Sequence, residues 1–419
     1  MRAGVPGAAL RDVNRSAVLR LIGLEGPISR AEIARRAGVS AGTVTTLVRN
    51  LVESGLVQPT EQTGPAKGPA SGRPAELVGL VGSAAEAIGV KIASDHLAIV
   101  RANLDGTVVA SSQAPFDALT GNPFTSIAEH IERHVASAND DAVLLGIGLG
   151  LPGFEDPYGS GVVQAPLLGW RNLPLGEHLT RTLGLPVLVD NDVNTLAAAE
   201  TLYGRGREFD HFVVLTLGEG IGMGIVVNGE PYRGARGAAG EFGHVAAGGD
   251  RTCSCGKRGC LETIASEPAL LDAARRRHII SAGDDATALV ARASAGSRAA
   301  LELFATAGAA LGDAAATASV VLDPQALVIA GEGTRGWPYM AEAFTEHFQA
   351  GVFPVARGTV PIIVDEWDDT AWALGAASLV LHAPFATPLH EHPSVELIRA
   401  RLDGGLRATA VAQRARDRP

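Results

Sequence analysis

The sequence predicts a mixed α/β protein: a small winged helix-turn-helix head, then a two-lobed α/β body with a loop closed round a metal ion. Three observations predict it. The first 80 residues read as short helices around a glycine turn, the residues after 86 mix strands and helices in two successions, and all three cysteines of the 419-residue chain lie in one short stretch, CSCGKRGC.

The head comes first. A helix is predicted from Asn14 to about Gly23, burying Val18, Leu19, Leu21 and Ile22. Ser29-Arg30-Ala31-Glu32 has the S-x-x-E form of a capping box, and Ile28 and Ile33 stand where a hydrophobic staple fixes the chain's entry into a second helix. That helix should stop at Gly38. Ser40 then caps a third helix, in which Val44, Leu47, Val48, Leu51 and Val52 recur at the spacing of one helical face. Its other face carries Gly42, Thr43, Thr45, Thr46, Arg49 and Asn50. Two helices, a tight turn and a third helix with a small, hydroxyl-rich outer face form the pattern whose last helix enters the DNA major groove. A wing should follow: Gly55-Leu56-Val57 opens a strand, TGPAKGPASGRPAE makes a loop with Lys67 and Arg73 near its tip, and Leu77-Val78-Gly79-Leu80 returns. Basic loop tips of this kind grip phosphate or the minor groove. Ser40, Thr43, Thr45, Thr46, Arg49, Lys67 and Arg73 are therefore the candidate DNA contacts.

Charge supports this division. The chain carries −10 overall, yet residues 1–80 hold ten basic against six acidic residues, leaving the remainder at −14. A basic head on an acidic body confines any DNA contact to the head. No apolar run reaches the length of a membrane span, and the N-terminus lacks the apolar stretch of a signal peptide. With the cysteines better explained as thiolate ligands, a reducing cytoplasm is the expected compartment, with no membrane partner.

The body opens with AIGVKIA, LAIVRANL, the Asp105-Gly106 turn and TVVASS, an antiparallel meander. A helix over Pro123–Ala136, the buried strand VLLGIGLGLPG, LPVLVDND leading into a helix over Val193–Tyr203, HFVVLTLG, GMGIVVNG, alanine-rich helices and ALVIAGEG follow. Two such successions fit two lobes with a cleft between them. Cys253, Cys255 and Cys260, with His244 upstream, make the Cys3His donor set of a closed structural zinc site, and Gly256 and Gly259 let the loop turn round the ion.

Several motifs together resemble one family, the ROK proteins, named for repressors, open reading frames and sugar kinases. They are GLPG at Gly150–Gly153, DNDVN at Asp190–Asn194, LTLGEGIGMGI at Leu215–Ile225, YRGARGAAGEFGH at Tyr232–His244 and CSCGKRGCLE at Cys253–Glu262, and the resemblance spans roughly residues 12–382. It implies an actin-like sugar-kinase fold, of the ribonuclease H type, with zinc holding the loop that presents sugar-binding groups. It further implies that Asn191, Asp192, Glu241, His244 and Glu262 contact sugar hydroxyls, and that Asp192 is the general base in the kinases. Carboxylates, an amide and an imidazole are groups that can read a ring of hydroxyls. Glu241 and Glu262 have an alternative role in orienting the metal ligands, and Asp190 is expected to be a solvated or helix-capping carboxylate. The segment Ala165–Trp170 lacks the asparagine often found before this tryptophan in the family.

Phosphoryl transfer needs glycine-rich turns whose N–H groups surround the nucleotide phosphates. Where the family's kinases carry an Asp-x-Gly-Gly-Thr type of turn, this chain has Lys91-Ile92-Ala93-Ser94-Asp95, and in Gly218-Glu219-Gly220 a carboxylate replaces a small residue. A glutamate ~5 Å from a phosphate charge repels it by about 3 kcal/mol at an effective dielectric near 20. No nucleotide cofactor and no catalytic residue are therefore expected.

The resulting expectation is a sugar-responsive DNA-binding regulator, a repressor of carbohydrate uptake or metabolism genes. It would bind operator DNA as a homodimer or homotetramer, with a winged head at 1–80, a hinge at 81–86, a ROK domain at 87–388 and a tail at 389–419. An ATP-dependent hexose or N-acetylhexosamine kinase with a regulatory head, using Asp192 catalytically, is the alternative. A regulator controlled by a protein partner also stays open.

Overall fold

The computed structural model describes residues 7–63, 76–120, 122–139, 142–155, 160–365, 367–385 and 393–416. The chain divides into two compact units, Met1–Arg207 with Asp369–Pro419, and Glu208–Asp368.

The first unit opens with α1 (Gly7–Glu25), β1 (Ile28–Ser29), α2 (Arg30–Ala37), α3 (Ala41–Glu53), β2 (Val57–Thr63) and β3 (Glu76–Leu80). The caps form where the sequence places them. Ser29 accepts from the Glu32 N–H and Ser40 from the Thr43 N–H, and Gly38 ends α2 in the left-handed conformation at φ +65°. Both staple residues, Ile28 and Ile33, are buried. Helix α1 corrects the expectation by starting at Gly7 and not at Asn14. Ala8, Ala9, Leu10 and Arg11 are strong helix formers that carry the helix through Asn14. Leu21, expected in the core, is only partly buried against it. The wing is antiparallel, in the order β1-β3-β2; its tip, with Lys67 and Arg73, lies outside the described residues.

Next come β4 (Ala85–Ile92), β5 (His96–Asn103), β6 (Val108–Pro115), α4 (Pro123–Ala136), β7 (Val143–Leu151), β8 (Phe154–Glu155), β9 (Val163–Ala165), β10 (Trp170–Leu173), α5 (Leu175–Leu183), β11 (Val187–Asn191) and α6 (Asp192–Tyr203). The expected meander β4-β5-β6 forms, and β7 and β11 extend it in parallel to give the order β11-β7-β4-β5-β6. Register pairs Lys91 with Gly150 and Gly150 with Asp190, so the carboxyl ends of β4, β7 and β11 share one edge. That edge is where ligands bind in sheets of this kind.

The second unit contains β12 (Phe212–Leu217), β13 (Ile221–Val227), β14 (Glu230–Pro231), α7 (Glu262–Ala265), α8 (Glu267–Arg276), α9 (Ala286–Ser294), α10 (Arg298–Leu322), β15 (Ala326–Ala330), α11 (Trp337–Gly351) and β16 (Ile362–Val364). Its sheet runs β14-β13-β12-β15-β16. Helix α10 is long and apolar enough to cross a membrane by length and composition. It instead buries Leu303, Phe304, Ala307, Leu311 and Ala315 in this unit's core.

The chain then returns to the first unit as α12 (Asp369–His382) and α13 (Pro393–Arg416). Helix α12 lies tight on the sheet because Gly148 has no side chain: a Cβ there would stand 1.8 Å from the Ala376 carbonyl oxygen. Helix α13, within the tail expected at 389–419, has 24 residues. Ile398, Leu402 and Leu406, one turn apart, are at most 4% exposed and share a core with Val18, Leu19 and Ile22 of α1. Burying each of them stabilises by about 1.5–3 kcal/mol before ordering costs. Arg15 pairs with Asp403 at 2.5 Å, and Arg401 donates to the Leu144 carbonyl at 3.0 and 3.1 Å. The last helix thus ties the head's core to the sheet below it.

Candidate functional site

The loop between β14 and α7 gathers the donors that the sequence singles out. His244, Cys253, Cys255 and Cys260 each offer one ligand atom, and these atoms all lie within 4.8 Å of one another. Cys255 Sγ and Cys260 Sγ are 3.7 Å apart, and Cys253 Sγ is 3.4 Å from His244 Nδ1. Thiolates on a tetrahedral zinc at ~2.3 Å stand about 3.8 Å from each other, so the spacing suits that ion. The loop reaches this geometry by turning back on itself: Thr252 bridges Arg258, Ala246 bridges Cys260, and Gly256 and Gly259 take φ of +85° and +71°. Any side chain at Gly259 would also press on the Gly248 and Gly249 backbone. The Lys257 backbone N–H, with help from the neighbouring thiols and the Lys257 charge, holds the Cys255 thiol below its ordinary value.

Both flanking glutamates touch this cluster. Glu241 Oε2 lies 3.7 Å from His244 Nε2, and Glu262 Oε1 lies 3.8 Å from Cys253 Sγ and 3.4 Å from Ser254 Oγ. Nδ1 therefore faces the thiolates while Nε2 faces a carboxylate, the arrangement that fixes a ligating imidazole.

Asn191 and Asp192 belong to the first unit, at the start of α6. Asn191 caps the helix through Oδ1, which accepts from Val193 and Asn194, and its Nδ2 donates to the Gly153 carbonyl at 2.9 Å. This fastens the GLPG turn to the DND run. Asp192 is half-buried in the first turn, with Oδ1 2.9 Å from the Val193 N–H. Asp190 is buried and accepts from the Asn191 N–H and from Asn194 Nδ2, each at 2.8 Å, a structural carboxylate at the helix start. Trp170 is buried as well, with Nε1 donating to the Ala118 carbonyl at 3.0 Å.

Charged groups adjoin both altered turns. Beside Lys91–Asp95, Asp369 accepts from Lys91 Nζ and from Gln113 Nε2, both at 2.8 Å. His96 sets Nδ1 2.7 Å from Asp95 and Nε2 3.2 Å from Asp369, the latter outside hydrogen-bonding geometry. Burial alone lowers the His96 pKa, but Asp95 and Asp369 outweigh it and the net shift is upward. In the second unit, Gly218-Glu219-Gly220 adjoins a pocket lined by Leu270, Phe304 and Met340, with Glu267 and Arg335 among its polar lining. Burial pushes the Glu267 carboxyl up; Arg335 opposes this, while Glu332, Asp285 and Glu219 add to it. Acidic charge gathers round Glu267, beside the second of these turns.

On the head, Ser40, Thr43, Thr45, Thr46 and Arg49 are all exposed on or beside α3. The family comparison decides what this assembly is. The ROK family pattern matches residues 87–383, and the pattern for a winged helix-turn-helix DNA-binding domain matches residues 11–58.

The chain belongs to the ROK family.

Among its relatives is the DNA-binding transcriptional dual regulator NagC of Escherichia coli, 29% identical over 399 residues, covering 91% of this chain and 96% of that one. The xylose repressor of Bacillus spizizenii is 26% identical over 375 residues, covering 89% and 96%. Among solved structures, a ROK family transcriptional regulator described as a homologue of the E. coli MLC protein shares the fold with a TM-score of 0.76 at 23% identity, covering 96% of this chain and all of that one. A ROK family glucokinase from Streptomyces griseus, solved with glucose and AMPPNP, has a TM-score of 0.60 at 26% identity and covers 70% of this chain and 98% of its own. The fold is thus a winged head followed by the actin-like, sugar-kinase type of ROK domain. Sequence reading missed Asp369, Gln113, Glu267 and Arg335 at the altered ROK turns. Asp369 lies 278 residues from Lys91, and no local pattern announces such a pairing.

Proposed function

We propose that this chain is a sugar-responsive transcriptional repressor of carbohydrate uptake or metabolism genes. One observation carries the reading: a winged head with an exposed α3 is joined to a ROK domain in which Lys91, in place of a glycine-rich turn, pairs with Asp369, and in which Glu267 and Glu332 adjoin Gly218 beside Glu219. Relatives named as a DNA-binding transcriptional dual regulator and as a xylose repressor, matched over nearly their whole length, support it. Residues 1–80 would be the DNA-binding domain, 81–86 the hinge and 87–388 the sugar-binding domain. The segment 389–419 would fasten the two through α13. Ser40, Thr43, Thr45, Thr46 and Arg49 would meet operator DNA, as would Lys67 and Arg73, which lie outside the described residues. Asn191, Asp192, Glu241, His244 and Glu262 would meet sugar hydroxyls. The Cys3His cluster would hold a structural zinc ion, which fixes the loop bearing Glu241 and Glu262 when bound. A homodimer or homotetramer in the cytoplasm suits a two-fold operator.

The reading assigns the chain no phosphoryl transfer. A sugar coupled to operator affinity by about 1–3 kcal/mol would change binding ~5- to 150-fold. The test is fluorescence anisotropy of the full chain on the DNA upstream of its own gene, at fixed salt, with a panel of sugars. Specific binding released by one sugar, and a loss of that release in Asp192→Asn with DNA affinity kept, is the expected result. Absence of specific binding, together with sugar-dependent ADP release, would replace this reading with the kinase that Asp192 and the glucokinase likeness leave as a rival.

A further inference from the structure

Helix α3 buries Val44, Val48 and Leu51 and turns Gly42, Thr45, Thr46 and Arg49 outward. A threonine at such a face has three things to offer: one hydroxyl proton, oxygen lone pairs and a methyl group. In Thr45 and Thr46 the protons are already committed. Thr45 Oγ1 donates to the Ala41 carbonyl at 2.8 Å and Thr46 Oγ1 to the Gly42 carbonyl at 3.1 Å. Phosphate oxygens only accept hydrogen bonds, so neither threonine can grip the DNA backbone without giving up its bond to the helix. The Ser40 and Thr43 hydroxyls share one hydrogen bond at 2.9 Å, which commits one of their two protons, and the Ser40 oxygen accepts the Thr43 N–H. At the outer face of α3, Thr45 and Thr46 therefore present methyl groups and oxygen lone pairs but no free proton. Gly42 adds room to it: a Cβ there would find only Ser40 Oγ, at 4.0 Å. Glycine costs a helix about 1 kcal/mol relative to alanine, and here it leaves space for a close approach.

The major groove offers one apolar group, the C5-methyl of thymine, and a threonine methyl is among the groups that pack against it. We infer that Thr45 and Thr46 read thymine methyls, so that the DNA this head selects presents thymines to the N-terminal half of α3. Arg49, near the C-terminal end of the same stripe, supplies the polar contact beyond them. This rests on the reading of the head as a DNA-binding domain and specifies what that domain recognises.

The test selects a duplex from a random-sequence pool with the full-length protein. The selected duplex is resynthesised with deoxyuridine at each thymine in turn, which removes the methyl and keeps the pairing. Loss of one packed methyl should weaken binding about fourfold, at one or two positions in each half-site. Thr45→Ser and Thr46→Ser keep the hydroxyl bond to the helix and lose only the methyl. The double variant should melt like the parent, keep its salt dependence and no longer distinguish thymine from deoxyuridine. Equal binding of both duplexes by the parent protein, or unchanged discrimination by the double variant, overturns the inference. A pool that yields no enriched duplex overturns the DNA-binding reading itself, and this inference with it.

Discussion

Replacing Leu402 by alanine tests the role given to the last helix. Leu402 is 1% exposed and packs in the core that α13 shares with Val18, Leu19 and Ile22. An enclosed leucine cut to alanine costs about 2–5 kcal/mol, the transfer loss plus the cavity left behind. Taking about 3 kcal/mol, and 2–4 °C per kcal/mol for a domain of this size, the first unit should melt ~6–12 °C lower. Leu397 supplies the control on the same helix. It is 52% exposed, so Leu397→Ala should stay within about 0.5 kcal/mol of the parent. Differential scanning calorimetry reads both variants, and a chelator identifies the transition of the unit that carries the cysteine cluster. Should Leu402→Ala shift the melt no more than Leu397→Ala, or shift only the chelator-sensitive transition, α13 is not part of the head's core.

Three further outcomes are expected. Arg101 is buried beside Glu86, 2.8 Å away by distance but outside hydrogen-bonding angles, and also donates to the His134 carbonyl and to Ser137 Oγ; Glu86→Ala should cost about 3–5 kcal/mol by stranding the guanidinium, measurable by urea unfolding. Burial first, and Arg101 second, hold the His134 imidazole below its ordinary 6.5. The unfolded chain therefore takes up the proton at higher pH, so this contribution to stability is complete above about 6.5 and falls as pH drops through the folded value; a parent that loses no more melting temperature on acidification than His134→Gln would contradict it. Cys255→Ser should lower bound zinc from one ion per chain, read by atomic absorption, and expose the loop from Glu241 to Glu262 to protease, whereas unchanged metal content would remove Cys255 from the ligand set.

What the sequence discloses is local. The ends of α2 and α4 follow from Ser29, Gly38 and Pro123, because caps and turns act within a few residues. The metal cluster is legible for the same reason, since three of its four donors lie on one short loop. The start of α1 is not, because the helix formers Ala8, Ala9, Leu10 and Arg11 carry the helix upstream of Asn14, where the apolar face first shows. Nor is the packing of α13, whose alanine- and arginine-rich stretch has a faint apolar stripe that gains meaning only against α1. The Lys91–Asp369 pair and the acidic charges of Glu219 and Glu332 acting on Glu267 depend on the fold bringing distant segments together. The reading of Thr45 and Thr46 likewise changes once their hydroxyl bonds are seen, because a sequence shows the residue and not where its proton goes.

The pairing of Arg15 with Asp403 spans 388 residues, and it bears on how the protein is made. At about 5–20 residues per second, a ribosome needs roughly 20–80 s to travel from one partner to the other. Throughout that interval Val18, Leu19 and Ile22 of the head lack their partners Ile398, Leu402 and Leu406. A chain halted in mid-synthesis would carry the whole recognition surface on an unfinished support. Completion of the head's core thus waits on a helix that the ribosome makes only after both sheets of the body have been translated.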